Sequence, residues 1–375
     1  MSSTAPAASH RVRRQFQEGG LLIVIFALGL LLTLFGGSVK VPRLQRNASG
    51  EMERVFTTGA AGEKELVFEE RNKFLNAQSL AQLAKDTSFI AIMAVGATFV
   101  IVSGGIDLSV GAIYALASVL GALVFRHFGP EGPAAASGAT GALLGALTCV
   151  GAATLCGLAN GGMIVALRVH PFIITLGTMA IFRGIAFVIT KGQSIGSFPE
   201  AFRSLIGWRT AGGLSLVPLA VMVLVAVAGG LYLARLAAGR RVYAIGGNEL
   251  ASRFSGIRVE RVKLSVFIFS GLTAGIAALL SLGYYGGATS GDGQGYELNV
   301  IAAAVVGGAS LSGGRGTALG ALLGALIIQM ISTGIVILGI DQNYSQIIIG
   351  AVVIVAVLLD QLNNWLMKRR LIRAN

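Results

Sequence analysis

The chain has 375 residues, of which 54% are hydrophobic and only 12% are charged, and its mean hydropathy is +0.76. An ordinary soluble domain carries about 25% charged residues, so this composition excludes a soluble globular fold and indicates a membrane protein. A net charge of +12 could suggest nucleic-acid binding. The basic residues, however, gather at the two ends and in one central segment, as in cytoplasmic parts of membrane proteins, and we expect no nucleic-acid partner.

Apolar stretches with few or no charged residues follow one another along the chain. A hydrocarbon core about 30 Å thick needs roughly 20 apolar helical residues, and in lipid such a stretch satisfies its backbone as a helix. We predict an all-α polytopic membrane protein with about ten transmembrane helices and an internal repeat, with both termini in the cytoplasm. The stretches cover residues 19–39, 87–106, 108–125, 132–167, 169–190, 210–234, 264–291, 298–314, 316–340 and 342–359.

Arginine-rich segments indicate which ends of the spans face the cytoplasm. We predict cytoplasmic tails at residues 1–18 and 362–375, a transmembrane domain at 19–361, and a cytoplasmic loop within it at 235–263. The turns that this topology places outside lie near Asp292, Glu297 and Asp341.

Residues 40–86 lack an apolar run long enough to span and are predicted to be external. Within them, residues 54–58 and 65–70 are short strand-like runs separated by glycines, which indicates a small β-hairpin. Residues 76–85 are predicted to form an interfacial helix that leads into the second span.

Two glycine-rich blocks repeat along the chain. Residues 104–111 resemble 307–314, and Ala-Leu-x-x-x-Leu-Gly-Ala-Leu follows at 115–123 and 318–326, so both pairs share an offset of 203 (307 − 104). Transporters often contain repeats, with the transport pathway at their interface, and glycines let the backbone leave the helix against protein or water. The candidate pathway residues in these blocks are Gly104, Gly105, Asp107, Ser109, Ser310 and Ser312.

Two charged residues interrupt the apolar part of the chain, Asp107 between two stretches and Arg183 inside another. Asp107 is either part of a polar transport pathway or the cap of a helix that starts at Leu108. Arg183 is likewise either a pathway residue, as ionisable groups within spans often are, or a structural contact to loop carbonyls or the interface. The two side chains could also pair with each other.

The central basic loop contains a short amphipathic helix, predicted at residues 249–255, between glycines. Because it lies on the cytoplasmic side between two spans, it is either a helix that binds a partner or a solvated charged connection. The candidate partner-coupling residues are Asn248, Glu249, Ala251, Arg253 and Gly256.

Motifs for catalysis and nucleotide binding are missing. The sequence contains no Gly-Lys dipeptide and therefore no G-x-x-x-x-G-K-[ST] phosphate loop. It also has no H-E-x-x-H, no G-x-S-x-G and no Cys/His cluster. We expect no catalytic residue, no metal site and no cofactor in this chain.

Four ordered motifs resemble the permeases of bacterial ribose, xylose, arabinose and galactose ATP-binding-cassette importers. The likeness extends over nearly everything from Phe74 to Asp360, whereas residues 40–70 look like an insertion and the segment before Arg11 matches nothing. The motifs are AIMAVG (91–96) leading to SGGIDLSVG (103–111), PFIITLGTM (171–179) with FRG (182–184), GGNELASRFSGI (246–257) and VGGASLSGGRGT (306–317).

The resemblance implies an inner-membrane permease that imports a monosaccharide by alternating access. Its partners would be a second permease copy, a cytoplasmic ATPase that binds ATP, a periplasmic sugar-binding protein and membrane lipid. By resemblance, residues 249–256 form the loop that contacts the ATPase, although the spacing from Glu to Gly is one residue longer than in the E-A-A-x-x-x-G form.

Other functions remain open at this point. In the same class, the solute could be a nucleoside, a polyol or an autoinducer sugar. An ion-coupled secondary transporter would depend on a buried carboxylate, which only Asp107 could readily provide, and a channel would conduct without ATP.

Overall fold

A computed structural model describes residues 5–46, 52–58, 63–135, 138–210 and 213–374, and the described chain is almost entirely helical. The predicted all-α membrane fold is confirmed. The helices are α1 (Ala5–Phe35), α2 (Ala77–Val102), α3 (Val110–His127), α4 (Gly138–Leu167), α5 (Pro171–Thr190), α6 (Glu200–Ile206), α7 (Leu216–Arg235), α8 (Ala237–Gly247), α9 (Glu249–Phe254), α10 (Val259–Tyr285), α11 (Tyr296–Val306), α12 (Ala318–Ile337) and α13 (Ser345–Ala374).

Length and hydropathy identify the helices that can cross a membrane. In the described residues, seven are long and apolar enough, namely α2, α3, α4, α5, α7, α10 and α12. Three further apolar segments are shorter: Gly19–Phe35, Tyr296–Val306 and Gln342–Leu358. Together they match the ten predicted spans, although α1 already begins at Ala5, within the predicted tail.

Helix α2 forms the centre of the bundle, and its neighbours include α7, α10, α11 and α12. Glycines let the central helices approach closely, as is common in membranes. A β-carbon at Gly157 of α4 would lie 2.3 Å from the carbonyl oxygen of Phe267, and one at Gly271 of α10 would lie 2.3 Å from that of Ala153. The high glycine content therefore serves helix packing.

Helices α2 and α11 end in the same way. Gly104 (φ 84°) and Gly308 (φ 96°) each occupy the left-handed position of a Schellman motif. The amide of Gly104 donates to the carbonyl of Ile101, and that of Gly308 donates to the carbonyl of Val305. The structural offset is therefore 204 (308 − 104), so the predicted offset of 203 was wrong by one residue at this turn.

The segment between α10 and α11 folds into the bundle. Arg183, in the middle of α5, donates to the backbone carbonyls of Ser290 and Asp292. The carbonyl of Gly293 packs against Gly111 in the first turn of α3. The following α11 has 11 residues, about 16 Å or half the hydrocarbon core. Asp292 lies in a series of turns at residues 290–295, as predicted, whereas Glu297 lies in the first turn of the half-helix α11. The external position of these turns stays a prediction.

Six short strands form the insertion that is predicted to be external, and they pair as three antiparallel two-stranded arms, β1 with β6, β2 with β3 and β4 with β5. At their junction Arg43 donates its amide to Val67, Val55 to Arg43, and Val67 to Val55, at 2.7 to 3.0 Å. The predicted hairpin over 54–58 and 65–70 is confirmed only in its inner part, the arm of β4 and β5. Arg54 pairs instead with Leu44, and residues 68–70 pair with β1. The strands are β1 (Ser38–Pro42), β2 (Leu44–Arg46), β3 (Met52–Arg54), β4 (Phe56–Thr58), β5 (Lys64–Leu66) and β6 (Phe68–Asn72).

A 12-residue repeat explains the similarity of two arms. The sequences ASGEMERVF (48–56) and AAGEKELVF (60–68) share the pattern A-x-G-E-x-E-x-V-F. The two junction residues Val55 and Val67 occupy the same position in this pattern. Sequence reasoning missed the repeat, although comparing the insertion with itself would have found it.

Helix α2 starts directly after the insertion. Asn76 caps it, with its side-chain oxygen accepting from the amide of Ser79 at 2.8 Å. The predicted interfacial helix over 76–85 is not separate, since one continuous helix runs from Ala77 to Val102.

Candidate functional site

The two glycine blocks meet at the end of the bundle that is predicted to be cytoplasmic, next to the end of α8. The amide of Gly314 donates to the carbonyl of Val102 at 2.8 Å, which joins the second block to the last residue of α2. The hydroxyl of Tyr243 on α8 donates to the carbonyl of Gly316 at 2.6 Å. Both blocks therefore touch the loop that the arginine distribution places in the cytoplasm.

Gly246 lies between these backbones. A β-carbon there would lie 1.8 Å from the carbonyl oxygen of Val102 and 2.5 Å from the amide nitrogen of Gly314. A β-carbon on the next residue, Gly247, would have no atom within 4 Å. The end of α8 is thus in direct backbone contact with both α2 and the second block.

Asp107 is buried, 2% exposed, in the loop between α2 and α3. Its Oδ1 accepts from the amide of Ser109 at 2.9 Å and from the Ser109 hydroxyl at 2.6 Å, and its Oδ2 accepts from the Ser270 hydroxyl at 2.8 Å. The Asn160 amide donates to the Ser109 hydroxyl at 2.7 Å. This hydrogen-bond network ties the loop to α10 and α4.

Thr175 on α5 strengthens the same connection, since its hydroxyl donates to the carbonyl of Ile106 at 3.2 Å. The side-chain oxygen of Asn160 is buried without a hydrogen-bond partner. A donor from a solute or a water molecule could bond to this free acceptor, because buried polar atoms normally have a partner.

The geometry bears on both interpretations of Asp107, as a helix cap and as part of a polar pathway. Its carboxylate accepts a backbone amide just before α3, which begins at Val110 rather than Leu108, so it acts as a local cap ahead of the helix. Among the described residues, no Lys or Arg forms an ion pair with it. The possible pair with Arg183 is absent, because Arg183 bonds to the carbonyls of Ser290 and Asp292 instead.

The structure therefore does not gather every candidate pathway residue in one place. Gly104 and Gly105 share the first loop with the Asp107 network. Ser310 is buried in the second block, with its hydroxyl 3.2 Å from the Arg315 guanidinium. Ser312 is exposed at the tip of that block. Arg183, on α5, bonds to neither block but to the segment that precedes α11.

The predicted short cytoplasmic helix is present as α9. Asn248 begins it, with its side-chain oxygen accepting from the amide of Ala251 at 2.9 Å. Gly256 (φ 79°) ends it in a third Schellman motif, in which its amide bonds to Arg253 and the next amide bonds to Ser252. The helix is therefore fixed at both ends by its own sequence.

Glu249 pairs with cations of the same chain. Its carboxylate lies 2.7 Å from the Lys263 ammonium on α10 and 3.3 Å from the Arg253 guanidinium, which also pairs with Glu260. Partial burial alone would raise the pKa of Glu249, but hydrogen bonds and charge attraction from Lys263 and Arg253 outweigh it and hold the pKa below its usual range. The carboxylate is thus ionised at cytoplasmic pH and anchors α9 to α10.

Two apolar side chains of α9 face solvent. Leu250 is 64% exposed and Phe254 is 85% exposed, one helical turn apart. Sequence reasoning missed them because it followed the charges, yet apolar residues four apart on a polar cytoplasmic helix are a recognisable signal. They form a surface that a partner can cover.

Lys85 is another residue whose importance the sequence did not reveal. It is 1% exposed on α2, with its ammonium 2.8 Å from the Tyr285 hydroxyl and 2.8 Å from the Asp86 carboxylate. The ammonium also lies 4.2 Å from the ring centre of Tyr284. These contacts satisfy a buried cation and tie the outer end of α10 to α2.

The chain is similar to known transport proteins. Residues 79–357 match the family described as branched-chain amino acid transport system / permease component. The chain is 38% identical to the ribose import permease protein of Escherichia coli over 76% of this chain and 87% of the relative. It is 40% identical to the ribose import permease protein of Bacillus subtilis, over 77% and 86%.

A third relative is the D-allose transport system permease protein of Escherichia coli, 36% identical over 77% of this chain and 85% of the relative. No solved structure matches the chain. Among the residues that the structure describes, no group of His, Cys, Asp or Glu is placed to hold a metal ion.

Proposed function

Since this chain belongs to the branched-chain amino acid transport system / permease component family, we propose that it imports a monosaccharide, a pentose or a hexose, across the bacterial inner membrane. It is a permease of a sugar-importing ATP-binding-cassette transporter, and therefore a transport subunit rather than a catalytic one. The match to permeases whose names specify ribose and allose import carries the proposal.

The contacts of α8 and α9 support a mechanism of coupling. A cytoplasmic ATPase would bind ATP in place of this chain, which lacks a phosphate loop, and it would dock on the exposed Leu250 and Phe254. Because Glu249 fixes α9 to α10, movement of α9 would carry α10 with it. Gly246 would pass the same movement to both glycine blocks.

Alternating access then requires the loops around Asp107 to rearrange. The Asp107 network links α3, α4 and α10 through hydroxyl and amide groups, which can exchange partners with sugar hydroxyls. The half-helix α11 and the turns that precede it resemble the broken helices that line solute sites in other transporters. A second permease copy would complete the pathway, and a periplasmic sugar-binding protein would deliver the solute.

Uptake into proteoliposomes tests this proposal. The chain is reconstituted with its ATPase and binding protein, and D-ribose, D-allose and D-fructose are supplied as labelled solutes. We expect uptake of at least one sugar that requires ATP and is unaffected by ionophores, and no ATP hydrolysis by the chain alone. Flux without ATP would indicate a channel, and uptake abolished by an ionophore would indicate an ion-coupled transporter.

A further inference from the structure

A basic groove lies beside α9, on the side away from the Glu249 ion pairs. It encloses about 660 Å³ between α8 and the start of α10. Four arginines line it, and its other lining residues are small, apolar or a single serine, so no carboxylate is present. The arginines are Arg240, Arg241, Arg258 and Arg261, all exposed.

Few negatively charged groups lie close enough to neutralise these arginines. Within the described part of the chain, Arg241, Arg258 and Arg261 take part in no ion pair, and Arg240 donates only to the carbonyl of Arg235 at 3.1 Å. The nearby acids Glu249 and Glu260 pair with Arg253 and Lys263 instead. The groove is therefore shaped and charged for an anion.

The position of α8 places the groove at the cytoplasmic membrane surface. Val242 and Ile245 of α8 are buried against the bundle, and Gly246 touches the end of α2. Arg240 lies on the opposite face and Arg241 at the edge of the buried face, and both are exposed. Because the candidate span α7 ends at Arg235, α8 begins at the level of the membrane surface.

Helix α7 joins the groove to the lipid. Its exposed apolar residues Leu224, Val227 and Leu231 follow one face, and α7 ends at Arg235, whose carbonyl receives Arg240. The exposed Leu236 continues this apolar surface to the groove. A molecule with acyl chains along α7 would place its head group among the arginines.

We propose that this groove binds the phosphate head group of an anionic phospholipid of the inner leaflet. Basic pockets between membrane helices on the cytoplasmic side suit such head groups. The lipid would hold α8 against the membrane and set the resting position of the helix that follows it. This inference does not depend on the identity of the transported solute.

Lipid binding to the purified full chain tests the proposal. The chain in detergent is titrated with phosphatidylglycerol or phosphatidylcholine, and bound lipid is counted by native mass spectrometry. We expect phosphatidylglycerol to bind at least about tenfold more tightly. Replacing Arg241→Gln together with Arg261→Gln should lower that affinity by at least about tenfold, since each arginine near an anionic surface contributes about fivefold.

The control variant is Lys368→Gln with Arg369→Gln, which removes the same charge near the carboxyl terminus and should keep the affinity. Unchanged gel filtration and melting in phosphatidylcholine would show that the groove variant folds. Equal affinity of wild type and groove variant would overturn the proposal. Displacement of the lipid by excess inorganic phosphate would indicate a small-anion site, and loss of ATPase co-purification with lipid binding retained would indicate a protein-docking surface.

Discussion

The absence of a β-carbon at Gly246 permits a close contact between three parts of the chain. At this residue the end of α8 touches the backbone of α2 and of the second glycine block at once. A side chain there would push these three elements apart. The neighbouring Gly247 provides a matched position where the same change meets open space.

We expect Gly246→Ala to impair transport strongly and Gly247→Ala to leave it near wild type. The added methyl at Gly246 overlaps the Val102 carbonyl, and overpacking of this kind costs about 1–3 kcal/mol. Sugar uptake and thermal melting of both variants measure the difference. Equal uptake by the two variants would show that this contact does not transmit movement.

We expect Asp107→Asn to reach the membrane in normal amounts but to transport poorly. The amide oxygen can still accept from Ser109, and the Ser270 hydroxyl can accept where it formerly donated, so the fold is retained while the charge is lost. Expression, melting temperature and uptake should be compared with Asp107→Ala, which removes every hydrogen bond and should also destabilise. Normal uptake by the asparagine variant would leave Asp107 only its capping role.

Different residues fix the two ends of helix α9 and attach it to α10. Asn248 and Gly256 set its limits, Glu249 holds it to Lys263, and Leu250 with Phe254 remain exposed. The ion pair is partly exposed, so it contributes no more than about 1 kcal/mol to stability. Its importance is expected in positioning rather than in folding.

We expect Glu249→Lys to insert normally and to lose sugar-stimulated ATP hydrolysis, because it places a third cation beside Lys263 and Arg253. The double variant Glu249→Lys with Lys263→Glu restores the opposite charges across the same 2.7 Å contact and should recover much of the coupling. Hydrolysis and co-purification with the ATPase are the measurements. If the swap fails while the ATPase no longer binds, Glu249 contacts the ATPase directly.

The external arms form a second separable element. The β1–β6 arm leads into α2, where Asn72 donates to the carbonyl of Thr33 at 2.7 Å and accepts from the amide of Phe74 at 2.9 Å. The other two arms, over residues 44–66, lie beyond the junction at which Arg43 meets Val67.

We expect deletion of residues 44–66, with an Asn-Gly turn joining Arg43 to Val67, to preserve membrane insertion and thermal stability. The retained strands keep their register from Ser38 opposite Asn72 to Pro42 opposite Phe68, and Asn-Gly favours a tight hairpin. Deleting residues 44–70 removes most of β6 and should destabilise the start of α2. Similar melting of both deletions would show that the β1–β6 pairing adds nothing.

At the scale of the whole molecule, the arrangement of helices separates two chemically different ends. The cytoplasmic end carries the arginine-rich loop, the glycine blocks and α9. The outer end carries the β arms and the buried Lys85 with its tyrosines. The orientation of this bundle determines where every partner must bind.

We expect single cysteines at the two ends to react from opposite sides of the membrane. Thr57→Cys, on an exposed strand of the insertion, should react with an impermeant thiol reagent applied from outside. Ser255→Cys, exposed beside α9, should react only after the inner membrane is opened. The unsubstituted chain, whose Cys149 is buried and whose Cys156 is half-buried in α4, is the control. Labelling of Ser255→Cys from outside would show that the predicted topology is inverted.

Ala61, a further position for such labelling, lies outside the described residues.

Features governed by neighbouring residues could be determined from the sequence alone. Ten apolar stretches, the hairpin around the glycines and the limits of α9 follow from hydropathy, turn residues and caps, each of which acts over a few positions. The positive charges likewise predicted which loops face the cytoplasm, and the ordered motifs indicated a sugar permease.

Only the tertiary structure decided which distant groups meet. Arg183 and the carbonyl of Ser290 are 107 residues apart, and no local pattern indicates that the segment before α11 turns into the bundle. Lys85 looks like an interfacial charge until Tyr285 and Asp86 are seen around it. Charge and hydropathy show what a residue can tolerate, whereas the packing of helices determines which partner satisfies it.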